Sequence, residues 1–300
     1  MEKNVPERKF KGVTKKLENV LCVSQVLNKT PTTQPKQEKN IITIITIALC
    51  SSIYAQPASV MNITYIDVPR TEADAFLASH VKFSNMSISE DRKILAHGIF
   101  THAFADNYTF AFYDFYASSA DVEKDSDLAN LALQENVKAM NLDEEAQQAL
   151  NKEYFTYFRN YAENHTDQIR VANEEMVYES EQLDWSTKKI TTVGKFDIKW
   201  GKGGEALKAW QDGQLESYKK HPGVEAVYGS NHLFGSGMGL HIYTFYSDWE
   251  SFASYESANF GSAMDENGKT FWSAVDAHED EIMVWIGGMN PETKEVYLVE

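Results

Sequence analysis

Shifted against itself by 130 residues, the chain overlays two long stretches without a gap. Asp67 falls on Asp197, Leu77 on Leu207, Ala96 on Ala226, His102 on His232 and Phe104 on Phe234. The run FAFYDFY at 110–116 then falls on LHIYTFY at 240–246, with Tyr113/Tyr243, Phe115/Phe245 and Tyr116/Tyr246 identical. With the offset reduced to 113, the run from His165 to Val171 falls on His278 to Val284, and both copies keep H-x-D-x-I-x-V. The first copy therefore carries 17 extra residues ahead of that motif. Matches in one order with one local periodicity are the signature of an internal duplication, so the chain is read as two copies of one unit.

The second copy is the easier to read. Residues 189–200 (KITTVGKFDIKW) alternate and are rich in Thr, Val and Ile, as a strand should be. Glycines at 201, 203 and 204 break it, and 205–220 then places Leu207, Trp210, Leu215 and Tyr218 near a helical spacing. His221-Pro222-Gly223 ends that helix. Strands over 224–234 and 238–246 are joined by Gly235-Ser236-Gly237, a hairpin signal. A helical stretch runs from Asp248, with an interruption near Asn267-Gly268, to His278, and 281–286 (EIMVWI) makes a last strand. The order β-α-β-β-α-β is the split-βαβ, ferredoxin-like motif: a four-stranded antiparallel sheet of order 4-1-3-2 with both helices on one face. The first copy repeats it, with strands at 63–68 and in a hairpin over 94–116, a helix at 72–85, and a long helical region at 125–140 and 143–165. An aromatic band (Tyr154, Phe155, Tyr157, Phe158, Tyr161) marks the inserted region, and packing explains it before stacking on a ligand does. Residues 174–185 link the copies.

Each sheet has one face without helices, and two modules in one chain can cover those faces by packing sheet to sheet. The expected fold is α+β, with ferredoxin-like modules at 56–185 and 186–300 forming an intramolecular α+β barrel. Ahead of them, 1–35 is a polar extension. Residues 36–55 read as a signal peptide, with Lys36 and Lys39 before the apolar run 41–55 (IITIITIALCSSIYA) and small residues before Gln56. The protein is accordingly expected to be secreted or periplasmic. Both cysteines, Cys22 and Cys50, precede the mature start, which removes a disulfide framework, a thiol nucleophile and a cysteine metal site. The net charge is −16, and nine Lys/Arg against four Asp/Glu in 1–55 leave the rest at −21. So acidic a surface repels phosphate backbones and anionic headgroups, so nucleic acid and, after signal cleavage, membrane are not expected as partners. Sequons at Asn62, Asn85, Asn107 and Asn164 matter only in a eukaryotic secretory route.

In element order, module length and tandem arrangement over about 60–290, the chain resembles the dimeric α+β barrel superfamily, which includes antibiotic-biosynthesis-type monooxygenases and NIPSNAP-like proteins. The resemblance implies a barrel formed from two modules and a ligand site between sheet and helices. The superfamily holds cofactor-free oxygenases, haem enzymes, isomerases and proteins of no known activity, so it implies a pocket without naming a reaction.

The repeated polar residues are the first candidates for chemistry. Asp67, His102, His165 and Asp167 map to one end of the first module, and Asp197, His232, His278 and Asp280 to the same end of the second. An Asp beside a His raises its basicity, which suits general-base catalysis; His102, His232, Asp67 and Asp197 are the catalytic candidates. The bland alternative stands beside it, with His165 and His278 at helix ends and Asp167 and Asp280 capping turns. Strands two and four are the sheet edges, roughly 14 Å apart, so His102 and His165 do not share a metal and no metal site is expected. Where the copies differ, His241 replaces Ala111 and Trp200 replaces Arg70. His241, Tyr243, Trp200 and Tyr113 are therefore the ligand-binding candidates. No G-x-S-x-G, Walker A, H-E-x-x-H or paired C-x-x-C occurs. Three functions remain open: a small-molecule-binding protein without cofactor, a cofactor-independent monooxygenase or isomerase acting on a small aromatic or apolar substrate, and a haem-binding protein. Association into a homodimer also stays open.

Overall fold

The computed structural model describes residues 59–104 and 107–300. The expected polar extension and signal segment, with both cysteines, lie outside the described residues. The first module runs β1 (Val60–Ile66), α1 (Ala73–Met86), β2 (Ala96–Phe104), β3 (Phe110–Tyr116), α2 (Ser119–Ala139), α3 (Glu144–Glu163) and β4 (His165–Glu179). The second runs β5 (Lys189–Ile198), α4 (Gly203–Trp210), a π-helical turn (Gln211–Leu215), α5 (Glu216–Lys220), β6 (Val224–Gly235), β7 (Leu240–Tyr246), α6 (Trp249–Asn259), α7 (Glu266–Ala274) and β8 (Val275–Met289), followed by the short β9 (Val296–Leu298). None of these helices is long and apolar enough to cross a membrane.

Within each module the strand order is the expected one, β4-β1-β3-β2 and β8-β5-β7-β6. The sheets meet along their edges: β4 pairs antiparallel with β6, and β2 with β8, so eight strands close into one barrel. Closure leaves none of the four module edges unpaired, and an unpaired edge is a template for aggregation. Alternation along each strand then sorts side chains into two populations. Met61, Ile63, Tyr65, Phe100, Tyr113, Val193, Tyr243, Phe245, Met283 and Trp285 fill the interior. Ile66, Ile99, Phe110 and Phe112 face the first module's helices, while Ile190, Phe196, Leu240, Ile242 and Tyr246 face the second's.

Local chemistry fixes the helix starts. Asp143, Asp248 and Asp265 accept from the backbone N–H of Ala146, Ser251 and Gly268 at 2.9, 2.7 and 2.7 Å, and such caps contribute about 1 kcal/mol each. Helix α2 is tied down by Asp125, which is buried and accepts from Arg92 through both Nε (2.9 Å) and a terminal nitrogen (2.7 Å).

Three boundaries differ from the sequence reading, all through tertiary pairing. The last strand starts at Val275 rather than 281, because its polar first half is held in register on β5, with Ala277 opposite Asp197. The stretch read as a linker from 174 continues as β4 to Glu179 along β6, across an irregularity between Asn173 and Val177. The helix read as continuous over 205–220 contains the π turn, where Gly213 packs so closely on Asn267 that a Cβ would lie 2.8 Å from the Asn267 Cβ. At the β4–β6 irregularity the fully buried Met176 sits over Gly229, where a Cβ would approach the Met176 Cβ to 2.5 Å. Gly229→Ala is therefore expected to overpack this seam and cost about 1–3 kcal/mol, read as a lower urea midpoint with unchanged far-ultraviolet dichroism of the native state.

Candidate functional site

Of the ligand-binding candidates, Tyr113, His241 and Tyr243 come together inside the barrel, all buried, with the Tyr113 and Tyr243 rings 5.6 Å apart. The fourth, Trp200, is fully exposed on the turn after β5. The Tyr243 hydroxyl lies 3.2 Å from both His241 Nδ1 and Ser230 Oγ. Arg170 crosses the same interior, donating to Ser230 Oγ (2.8 Å) and to the carbonyls of Ser230, Met238 and Gly239. Lys195 pairs with Glu281 at 3.0 Å, and Tyr108 donates to the same carboxylate at 3.1 Å. Burial, helped by the nearby Arg170 and Lys195 charges, drives the His241 pKa down to about 2. It also pushes Tyr243 up to about 12.

The catalytic candidates gather at one end of each module, where they fasten backbone. The Asp67 carboxylate accepts from Thr109 Oγ1 at 3.3 Å, and Asp197 accepts from the Gly239 N–H at 2.9 Å. The His102 backbone N–H donates to the Thr109 carbonyl and its ring lies 5.5 Å from that of Tyr108. His232 Nε2 lies 3.0 Å from the Gly235 carbonyl and donates to it. The Asp–His pairs form in both copies, His165–Asp167 at 3.3 Å and His278–Asp280 at 2.9 Å. Among the described residues, no group of three His, Cys, Asp or Glu side chains is arranged to hold a metal.

Cavities lie on the other face of the sheets, between strands and helices, one in each module. The first, of about 550 Å³, is bounded by β1–β3, α1, α2 and α3. Along its wall runs a chain of four polar side chains. The Asp114 carboxylate on β3 lies 2.6 Å from Nδ1 of His97, its register partner on β2. His97 Nε2 lies 3.2 Å from Nε2 of His80 on α1, whose Nδ1 is 3.0 Å from the Tyr157 hydroxyl on α3. His80 is stacked flat on Phe112, with centroids 3.9 Å apart.

A carboxylate only accepts, so with a single proton on His97 every proton in the chain is oriented. His97 donates from Nδ1 to Asp114, so its Nε2 accepts from His80 Nε2–H, and His80 Nδ1 accepts from the Tyr157 hydroxyl. Burial and the neighbouring His97 hold the His80 pKa well below the usual histidine value, so this ring stays neutral. Burial likewise raises the Tyr157 phenol.

His80, His97 and Asp114 escaped the sequence reading because they are not repeated, and Tyr157 was read there only as part of the aromatic band. At the 130-residue offset His80, His97 and Asp114 meet Trp210, Val227 and Thr244, and Tyr157 belongs to the helical region that carries the insertion. The available signal was the hairpin register, which faces His97 with Asp114.

No family model matches the chain, and no curated protein does. Solved structures do. An anthrone oxidase-like protein superposes over 80% of this chain and 95% of its own, with a TM-score of 0.52 at 14% identity. A candidate monooxygenase from Fusobacterium nucleatum subsp. nucleatum superposes over 81% of this chain and 99% of its own, with a TM-score of 0.51 at 10% identity. The chain has the dimeric α+β barrel fold. In this α+β barrel both modules come from one chain, and each carries its own sheet-to-helix cavity.

The neutral buried histidines make a pH prediction. A histidine whose folded pKa is depressed contributes stability that is intact above the unfolded value of 6.5 and is lost as pH falls below it, because the unfolded chain binds the proton first. His241→Phe should flatten the pH dependence of unfolding free energy between pH 6.5 and 4 by up to about 1.4 kcal/mol per pH unit, measured by urea titrations at several pH values.

Proposed function

We propose that the α+β barrel binds a small aromatic or apolar molecule in the first module's cavity and removes a proton from it. The chain from Asp114 through His97 and His80 to Tyr157 carries this reading. As the Tyr157 oxygen takes the substrate proton, its own proton passes to His80 Nδ1, the His80 Nε2 proton to His97, and the His97 Nδ1 proton to Asp114. One negative charge moves from Asp114 to the substrate, and no imidazolium forms in a place where burial opposes it. Phe83, Ile88, Leu133, Tyr154 and Phe158 line the space beside Tyr157 and favour an apolar body.

Proton abstraction is the step shared by cofactor-independent oxygenases, in which the resulting carbanion meets oxygen, and by isomerases, in which it is reprotonated elsewhere. The similarity in fold to an anthrone oxidase-like protein makes anthrone a reasonable first probe. Export belongs to the same reading and rests on the apolar run 41–55 ahead of Gln56; a secreted chain beginning at Gln56 is the expected product.

The test is deuterium exchange at the acidic methylene of anthrone, followed by NMR without oxygen, and then oxygen uptake. Exchange above the protein-free rate is expected, falling at least about 100-fold in Tyr157→Phe and His80→Phe and strongly in Asp114→Asn, which removes the carboxylate that takes up the last proton of the chain. Folded Tyr157→Phe and Asp114→Asn variants that exchange as fast as the parent would remove the chain from the mechanism. Oxygen uptake marks an oxygenase, and product isomerisation without it marks an isomerase.

A further inference from the structure

The second module's cavity, of about 770 Å³, differs in chemistry from the first. Its walls are aromatic, with Trp210 from α4, Phe252 from α6, and Phe271 and Trp272 from α7. Among the described residues no lysine or arginine lines it, whereas the first cavity has Arg92 and Lys294 on its walls. Four acidic residues of the described chain contribute to its lining. Asp265 caps α7, and Glu281 pairs with Lys195, which leaves Glu256 on α6 and Asp280 on β8. Asp280 has only the His278 imidazole as an ion-pair partner among the described residues, and Glu256 has none. These two carboxylates repel each other: Glu256 is raised above the usual carboxylate range first by burial and then by Asp280.

The cavity floor is aromatic as well: the Phe196 ring lies over Gly194, where a Cβ would come within 2.8 Å of it. Gly194 on β5 lies opposite Asp280, in the position that Thr64 holds opposite Asp167 in the first module. Thr64 fills its place and donates to Asp167 at 2.6 Å, while Gly194 has no side chain to do so, and Gly194 lines the cavity. Opposite it, the π turn widens the helix between Trp210 and Glu216 and brings Gly213 and Gln214 to the wall. Such turns recur at functional sites.

We propose that this cavity binds a small organic cation, an ammonium group on an aromatic or branched apolar body. Its charge sits between Glu256 and Asp280, relieving their repulsion, and its body lies among the tryptophan and phenylalanine rings, whose electron-rich faces attract cations. The site is separate from the proton-abstracting chain and does not depend on it.

The experiment is calorimetric titration of the mature chain with benzyltrimethylammonium, with benzyl alcohol as the neutral comparison and phenylacetate as the anionic one. One-to-one binding of the cation is expected, at least tenfold tighter than the alcohol, with no binding of phenylacetate. Glu256→Gln with Asp280→Asn should weaken the cation at least tenfold and leave the alcohol unchanged. Both residues are on the cavity rim, so the variant should fold. Trp272→Leu, at a half-exposed position, should weaken the cation as well. Asp114→Asn and Tyr157→Phe should leave cation binding intact even though they slow proton abstraction. Equal affinity for cation and alcohol, no binding of the cation, insensitivity to the paired Glu256/Asp280 substitution, or loss of binding in Asp114→Asn would each overturn the proposal.

Discussion

Everything in this protein depends on two strand pairings between modules, β4 with β6 and β2 with β8. A four-stranded ferredoxin-like sheet covers one face with its helices and leaves the other face and two edges unprotected. Pairing the edges solves both problems together, because the bare faces become the inside of a closed barrel. The gain is apolar area removed from water by Phe100, Phe245, Trp285 and their neighbours, and hydrogen bonds between edge strands that would otherwise lack a neighbour. Gly229 under Met176 shows how close the fit at one seam is.

Closing the barrel also divides the labour between its two sides. The interior is packed with side chains, including Arg170, Tyr243 and His241 held by one another and by backbone carbonyls, as a small barrel requires. Space for a ligand is left on the outer faces, where helices bridge over the strands without filling every gap. The longer helical region of the first module makes one of those spaces distinctive, since α3 brings Tyr157 over the sheet.

The duplication has let two sets of side chains diverge on one frame. In the first module His97 faces Asp114 across the hairpin, and in the second the same register places Val227 opposite Thr244. His80 gives way to Trp210, exchanging a hydrogen-bonded imidazole for an aromatic wall. Thr64 gives way to Gly194, exchanging a hydrogen bond to Asp167 for the Phe196 ring, which lies over Gly194. Backbone pairing does not depend on these side chains, so they were free to change without loss of the barrel.

The duplicated pattern, the strand and helix periods and the glycine-rich turns determined the modules, their strand order and the α+β class, because these are local signals carried by each residue's own conformational preference. Polar strand ends such as 275–280, the π turn around Gly213 and the extension of β4 to Glu179 were not legible, since pairing with a distant strand decides them against local propensity. The same holds for the candidate site. Repetition drew attention to His102, His232, Asp67 and Asp197, which lie at the ends of the strands, and divergence between the copies drew it to His241 and Trp200, but neither signal pointed to His80, His97 or Asp114. Only the tertiary structure could bring His80 from a helix, His97 and Asp114 from a hairpin and Tyr157 from the inserted region into one chain. Hydrogen bonds that span 17 to 77 residues of sequence form only when packing has brought their partners within 3 Å or so.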